Sequence, residues 1–101
     1  MDKTIVRCDL IDCGEPASHK VAAYWSDGRF AELKTYGFAC PDHVEAVCRK
    51  AEVRWLNYDP VPGEVVGGIA IYQYEEGKTD REFARDRDLE VAFLACPPPF
   101  Y

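Results

Sequence analysis

Cys40-Pro41-Asp42-His43 is the stretch from which the rest of the chain can be read. Behind it Val44, Val47, Cys48, Ala51 and Trp55 recur at i, i+3, i+4, i+7 and i+11, the single apolar stripe of an amphipathic helix. Pro41 suits the first helical position, where its missing N–H costs nothing, with Cys40 as the N-cap. Asp42 and Glu45 then lie at the positive end of the helix dipole. The alternative phasing makes Asp42 the cap, with Glu45 as its capping-box partner. In either phasing Cys40 and His43, three apart, point to the same side of the helix start and can share an ion.

The complement lies upstream in Cys8-Asp9-Leu10-Ile11-Asp12-Cys13-Gly14. Two thiolates that each approach one ion to about 2.3 Å require a sharply returning backbone, which a C-x4-C spacing permits. Gly14 helps because it can adopt positive φ where the loop tightens. Cys8, Cys13, Cys40 and His43 thus form the expected metal site. Three thiolates and an imidazole are soft to borderline donors that favour tetrahedral zinc over an iron–sulfur cluster. Such a shell leaves no position open for water or substrate, so one structural Zn2+ is expected and no catalysis at the ion. His19 competes with His43 if the helix begins later. Cys48 competes less well, because on a continuous helix it lies about 12 Å along the axis from Cys40. It reads instead as a buried core thiol. If the four residues are unrelated, Cys8 and Cys13 remain as a redox pair.

Between the two halves, Lys20–Trp25 and Phe30–Phe38 read as strands. Ser26-Asp27-Gly28-Arg29 carries the Asp-Gly signal of a two-residue hairpin turn. That register sets Trp25 opposite Phe30 and Ala22 opposite Leu33. Both faces of the ribbon carry apolar residues, so alternation does not choose the core face. Thr4-Ile5-Val6-Arg7 reads as a short strand entering the knuckle. The order knuckle, hairpin, then C-x2-H at a helix start resembles the treble-clef and zinc-ribbon group of zinc fingers. The resemblance covers about Cys8 to Arg54 and carries over to Cys8, Cys13, Cys40 and His43 alone. It departs from the group in its C-x4-C spacing, where C-x2-C is commoner. It implies an α+β fold with a structural zinc and says little about function.

The second half carries weaker signals. Asn57-Tyr58-Asp59-Pro60-Val61-Pro62-Gly63 must be a loop, because two prolines and a glycine end the helix. Val65–Glu75 reads as a strand, with a bulge or close backbone approach at Gly67-Gly68. Leu89, Val91 and Phe93 alternate with Glu90, Ala92 and Leu94, a further strand and antiparallel neighbour for the first. Thr79 and Glu82 offer a capping box for a short helix. At the end, Pro98-Pro99-Phe100-Tyr101 has the form of a PPxY ligand, although a stiff tail laid over the chain's own core is the preferred reading. The expected organisation is one α+β domain over 1–101, with a zinc module at 8–56 and a strand-rich part at 57–101 packed on it.

Composition narrows the function. A chain of 101 residues with 48% hydrophobic and 30% charged residues is ordinary globular material, small enough for a metal to supplement its core. Five cysteines cannot all pair, and no apolar leader or membrane-length run is visible, so a reducing, cytoplasmic setting is expected. The formal charge is −6, with net −1 in residues 1–50 and −5 in 51–101. That field repels a phosphate backbone, which disfavours a nucleic-acid-binding finger. Nothing pairs a nucleophile with a base in a catalytic pattern, so no enzyme is expected. A zinc-binding module that contacts another protein leads; a nucleic-acid finger and a cysteine-based redox sensor or enzyme follow.

Overall fold

The central strand, β1 (His19–Ser26), pairs antiparallel with β2 (Ala31–Ala39) on one side and β3 (Val65–Gln73) on the other. Helices α1 (Val44–Leu56) and α2 (Arg87–Phe93) complete a mixed α+β fold. The computed structural model describes residues 5–94. Thr4, Cys96 and the Pro97–Tyr101 tail lie outside the described residues, and with them the expectations attached to that tail. The entering strand reduces to one bridge, Arg7 to Pro16.

The hairpin forms, but not in the expected register. Ser26 pairs with Ala31 and Trp25 with Glu32, so the loop has four residues, Asp27 to Phe30. Asp27 is the cause: its Oδ1 accepts the N–H groups of Arg29 and Phe30, both at 2.8 Å, while its own N–H reaches the Phe30 carbonyl at 3.1 Å. Gly28 takes φ 92°, the left-handed value this loop needs. A second slip follows along the ladder. Val21 faces Gly37 and Ala22 faces Thr35, leaving Tyr36 as the extra residue of a bulge.

That bulge has a packing consequence. A Cβ on Gly37 would stand 2.6 Å from Val47 Cγ1, so the missing side chain lets α1 lie directly on β2. The helical stripe is confirmed in its burial: Val44, Val47, Cys48 and Ala51 are buried, and Trp55 is half-buried at the far end. With Val21, Ala23, Ile69, Ile71 and Leu94 they form the core. The expected close approach at Gly67-Gly68 is also present. Ala23 faces Ile69 while Trp25 faces Val66, so β3 bulges opposite Tyr24. A Cβ on Gly67 would meet Tyr24 Cβ at 3.1 Å.

The two-faced apolar pattern of β1 has a simple origin: both faces are covered. Val21 and Ala23 enter the helical core. Lys20 and Ala22 alternate to the opposite face yet are also buried, Lys20 at 7% exposure. The residue 79–83 segment covers Lys20. Lys20 Nζ donates to Asp80 Oδ1 at 3.1 Å and lies 5.5 Å from the centre of the Phe83 ring. The Thr79–Glu82 capping box is present, around a 3-10 turn at Asp80–Glu82.

The C-terminal reading needs correcting. Leu89–Leu94 is not a strand but contains most of α2, and residues 57–94 hold only one strand, so that part is not strand-rich. Asp86 caps the helix by accepting the Leu89 N–H at 3.2 Å. Glu90 is 1% exposed despite its charge. It accepts the Ile71 N–H at 3.1 Å and two Arg85 donors, Nε at 3.0 Å and Nη2 at 2.6 Å. The outer edge of β3, where a neighbouring strand was expected, is thus closed by residues 84–86 and one carboxylate.

Gly37→Ala is expected to lower stability by about 1–3 kcal/mol through overpacking. Adding Val47→Ala should return part of that loss, as read by urea unfolding of the single and double variants. The N–H groups of Phe30 and Arg29 hold the Asp27 carboxyl below its ordinary 3.8. Its depressed value means the loop is fully stabilised above pH 3.8 and loosens only as pH falls through the lower folded value. The Arg29 and Phe30 amide shifts should therefore hold steady through pH 3.8 and move below it.

Candidate metal centre

The first pair of donors is presented by a small returning loop. Cys8 N–H donates to the Glu15 carbonyl at 2.8 Å, Ala17 N–H to Val6 at 2.9 Å, and Arg7 Nη1 to Gly14 at 2.6 Å. At the tip Cys13 N–H reaches the Leu10 carbonyl at 3.2 Å. Two positive-φ residues turn the chain here, Asp12 at 66° within the C-x4-C spacing and Gly14 at 69° just after it. Gly14 was expected to turn the chain; Asp12 was not. Aspartate tolerates this region better than most side chains, which is the only signal its sequence position carries.

The second pair stands at the turn into α1. Pro41–His43 forms a 3-10 turn, with Cys40 extended before it (φ −78°, ψ 168°) and His43 N–H donating to the Cys40 carbonyl at 3.1 Å. The α-helix proper begins at Val44. Neither Cys40 nor His43 makes a side-chain cap bond, and Asp42 is exposed. The tight turn keeps the cysteine sulfur and the imidazole adjacent: Cys40 Sγ lies 3.2 Å from His43 Nδ1.

Residue 9 brings the two halves together. Asp9 N–H donates to the Phe38 carbonyl at 3.0 Å, and its Oδ2 accepts the Phe38 N–H at 2.8 Å. One residue thereby clamps the knuckle to the end of β2, two positions before Cys40. Sequence reading missed Asp9, because a single aspartate beside a cysteine carries no spacing signal.

All four expected donors meet. The sulfurs of Cys8, Cys13 and Cys40 and a ring nitrogen of His43 lie within 4.8 Å of one another, a group that could hold a metal ion. Cys13 Sγ to Cys40 Sγ is 3.6 Å, and Cys8 Sγ to His43 Nδ1 is 3.9 Å. Tetrahedral bonds of about 2.3 Å to sulfur and 2.0–2.1 Å to nitrogen imply edges of roughly 3.5–3.8 Å, so these separations suit one ion. Cys8 and Cys40 are buried; Cys13 and His43 are half-buried.

The thiols are electrostatically unequal. Burial opposes ionisation of Cys8, but the backbone N–H groups of Cys40 and Leu10, with the Cys13 and His43 side chains, outweigh it and lower the thiol to about 7. At Cys13 the Glu15 amide favours the thiolate. Burial and the neighbouring Cys40 and Cys8 sulfurs outweigh it and raise the group to about 11. Three sulfurs this close cannot all carry charge without a cation among them.

The rivals stand elsewhere. Cys48 is fully buried on the core face of α1, and burial, then Glu52, Glu45 and Glu90, push its thiol up to about 12. His19 is half-buried, as expected, and is held between Ser18 Oγ, 2.8 Å from its Nδ1, and Asp86 Oδ2, 3.2 Å from its Nε2. It ties the start of β1 to the cap of α2 and is not one of the four donors. Among the described residues no helix is long and apolar enough to cross a membrane. Comparison with protein-family models, curated proteins and solved structures finds no match, so the treble-clef resemblance rests on ligand order and spacing.

Iodoacetamide at neutral pH should leave Cys48 unmodified in the folded protein and alkylate it after denaturation, since a buried, protonated thiol is a poor nucleophile. Peptide mapping reads this directly; rapid alkylation of Cys48 in the native state would contradict its placement.

Proposed function

We propose that this chain is a small zinc-binding protein in which Cys8, Cys13, Cys40 and His43 hold one structural Zn2+, and that the zinc-stabilised fold acts as a protein-interaction module. The observation that carries the metal reading is the convergence of three sulfurs and one imidazole nitrogen within 4.8 Å. Zinc is favoured over harder cations by that donor set and over redox metals by its indifference to d-electron geometry. With all four positions taken by protein, the ion serves folding rather than catalysis.

An interaction role is supported by the end of α1. Trp55, Leu56, Tyr58, Pro60 and Val66 line a cleft of about 230 Å3. Leu56, Val61 and Val65 are exposed at 71%, 62% and 59% in the same stretches of chain. Exposed apolar surface of this kind is the usual substrate of protein contacts. The net charge of −6 weighs against nucleic acid as the partner. We also take 1–101 as one cooperative unit in a cytoplasmic setting, because β3 from the second half pairs with β1 from the first.

Structural zinc supplies on the order of 10–16 kcal/mol of apparent binding energy in small fingers, comparable with a whole domain's net stability of roughly 5–15 kcal/mol. Native mass spectrometry should therefore find one zinc per chain, with chelation abolishing the dispersed NMR spectrum. Cys13→Ser and His43→Ala should lose the metal while Cys48→Ala retains it. A metal-free protein with an unchanged native spectrum would sink this reading.

A further inference from the structure

The sheet face opposite the helices is not sealed along its whole length. Beside the covered Lys20 it opens into a cleft of about 690 Å3. Residues 31–33 of β2 form one side, residues 79–81 the other, and Tyr24 and Tyr72 line it between them. That volume is in the range of pockets that bind small organic molecules.

The strand registers say which side chains can face it. Tyr24 pairs with Leu33 across β1–β2, and Tyr72 pairs with Lys20 across β1–β3. Lys20 and Tyr24 are four apart on one strand, so all four side chains share this face. Glu32 pairs with Trp25 and is turned by the same alternation to the opposite face. The residue still lines the rim of the cleft.

The remaining charges in the cleft are unequal. Asp80 is already satisfied: Lys20 Nζ donates to Oδ1 at 3.1 Å and the Leu33 N–H to Oδ2 at 3.4 Å. Arg81, next to it, is exposed and has no hydrogen bond or ion pair among the described residues. The hydroxyls of Tyr24 and Tyr72 likewise have no hydrogen-bond partner there. One guanidinium fork and two phenols, all donors without protein acceptors, thus line a cleft that also offers two aromatic rings, Ala31 and Leu33.

We propose that this cleft binds a small organic anion with a flat aromatic body, its carboxylate or phosphate on Arg81 and its ring against Tyr24, Tyr72 and Leu33. Guanidinium matches either oxyanion through paired N–H groups. The chain's overall negative charge opposes approach of any anion, though salt screens that long-range term. Ring contact supplies most of the affinity, and Arg81 supplies the preference for the anion over its neutral counterpart. The site is independent of the metal reading, since none of its residues is a metal donor.

The test uses the full chain as purified with its metal, titrated with indole-3-acetate, its neutral amide, phenyl phosphate and inorganic phosphate, and followed by amide NMR. Indole-3-acetate should shift the resonances of Leu33, Tyr72 and Arg81, leave Cys13 and His43 unmoved, and bind about tenfold more tightly than the amide. Arg81→Gln, at an exposed position, should keep the native spectrum and erase that preference. Phenyl phosphate binding at the same residues supports the same site and identifies phosphate as the better anion. Equal binding of acid and amide, an intact preference in Arg81→Gln, no shifts at millimolar ligand, or the same shifts from inorganic phosphate alone would each overturn the proposal.

Discussion

Asp9 holds the two donor-bearing halves of the candidate metal centre in register. Its backbone and its carboxylate both bond to Phe38, so a loop near the start of the chain is pinned to the end of β2. Ser18 adds to this clamp, its N–H donating to the Ala39 carbonyl at 2.8 Å, so contacts at both Phe38 and Ala39 offset the entropic cost of closing the long hairpin loop. With it, the sulfurs are brought close before any ion is considered. Crowded thiols then supply the electrostatic reason for a cation, because burial and mutual proximity disfavour more than one thiolate. The clamp thus bears on folding and on the convergence of the four donors together.

The sheet links this centre to the second half. β1 is the shared strand: its start is tied to α2 through His19 and Asp86, its middle is buried on both faces, and near its end Trp25 pairs with Val66, which lines the cleft at Trp55. Two glycines set how close neighbouring elements come. Gly37 admits Val47 of α1, and Gly67 admits Tyr24. Neither needs glycine's freedom of φ; both need the absence of a Cβ. Close approach of this kind couples the ordering of α1 at the metal end to the placement of β2 and, through the ladder, of β3.

Buried charge is handled by pairing. Glu90 would be prohibitively costly in the core as an isolated carboxylate, and it is tolerated because Arg85 and the Ile71 N–H occupy its oxygens. Lys20 solves the same problem on the other face, with Asp80 as its partner and its Nζ over the Phe38 and Phe83 rings. The first helps to close the outer edge of β3, and the second covers one face of the central strand. Arg81, which lines the 690 Å3 cleft, has no hydrogen bond or ion pair among the described residues.

What the sequence determined by itself were the features set by local spacing. The stripe from Val44 to Trp55, the loop at 57–63, the Thr79–Glu82 box, the bulge at Gly67-Gly68 and the four donors all follow from short-range periodicity, turn chemistry or ligand type. Residues 87–93 defeated that reading because Leu89, Val91 and Phe93 fit a period of two as well as they fit part of a helix. Only Asp86 as a cap and Glu90 as a buried partner for Arg85 decide between them. The hairpin register failed for a related reason, since Asp27 bonds two amides at once and Tyr36 is an added residue. Tertiary structure alone decided which face of β1 meets the helices, that the other face is covered too, and that Asp9 draws the knuckle to β2. Those outcomes depend on contacts between residues 29 to 60 positions apart, whose pairing no local pattern encodes.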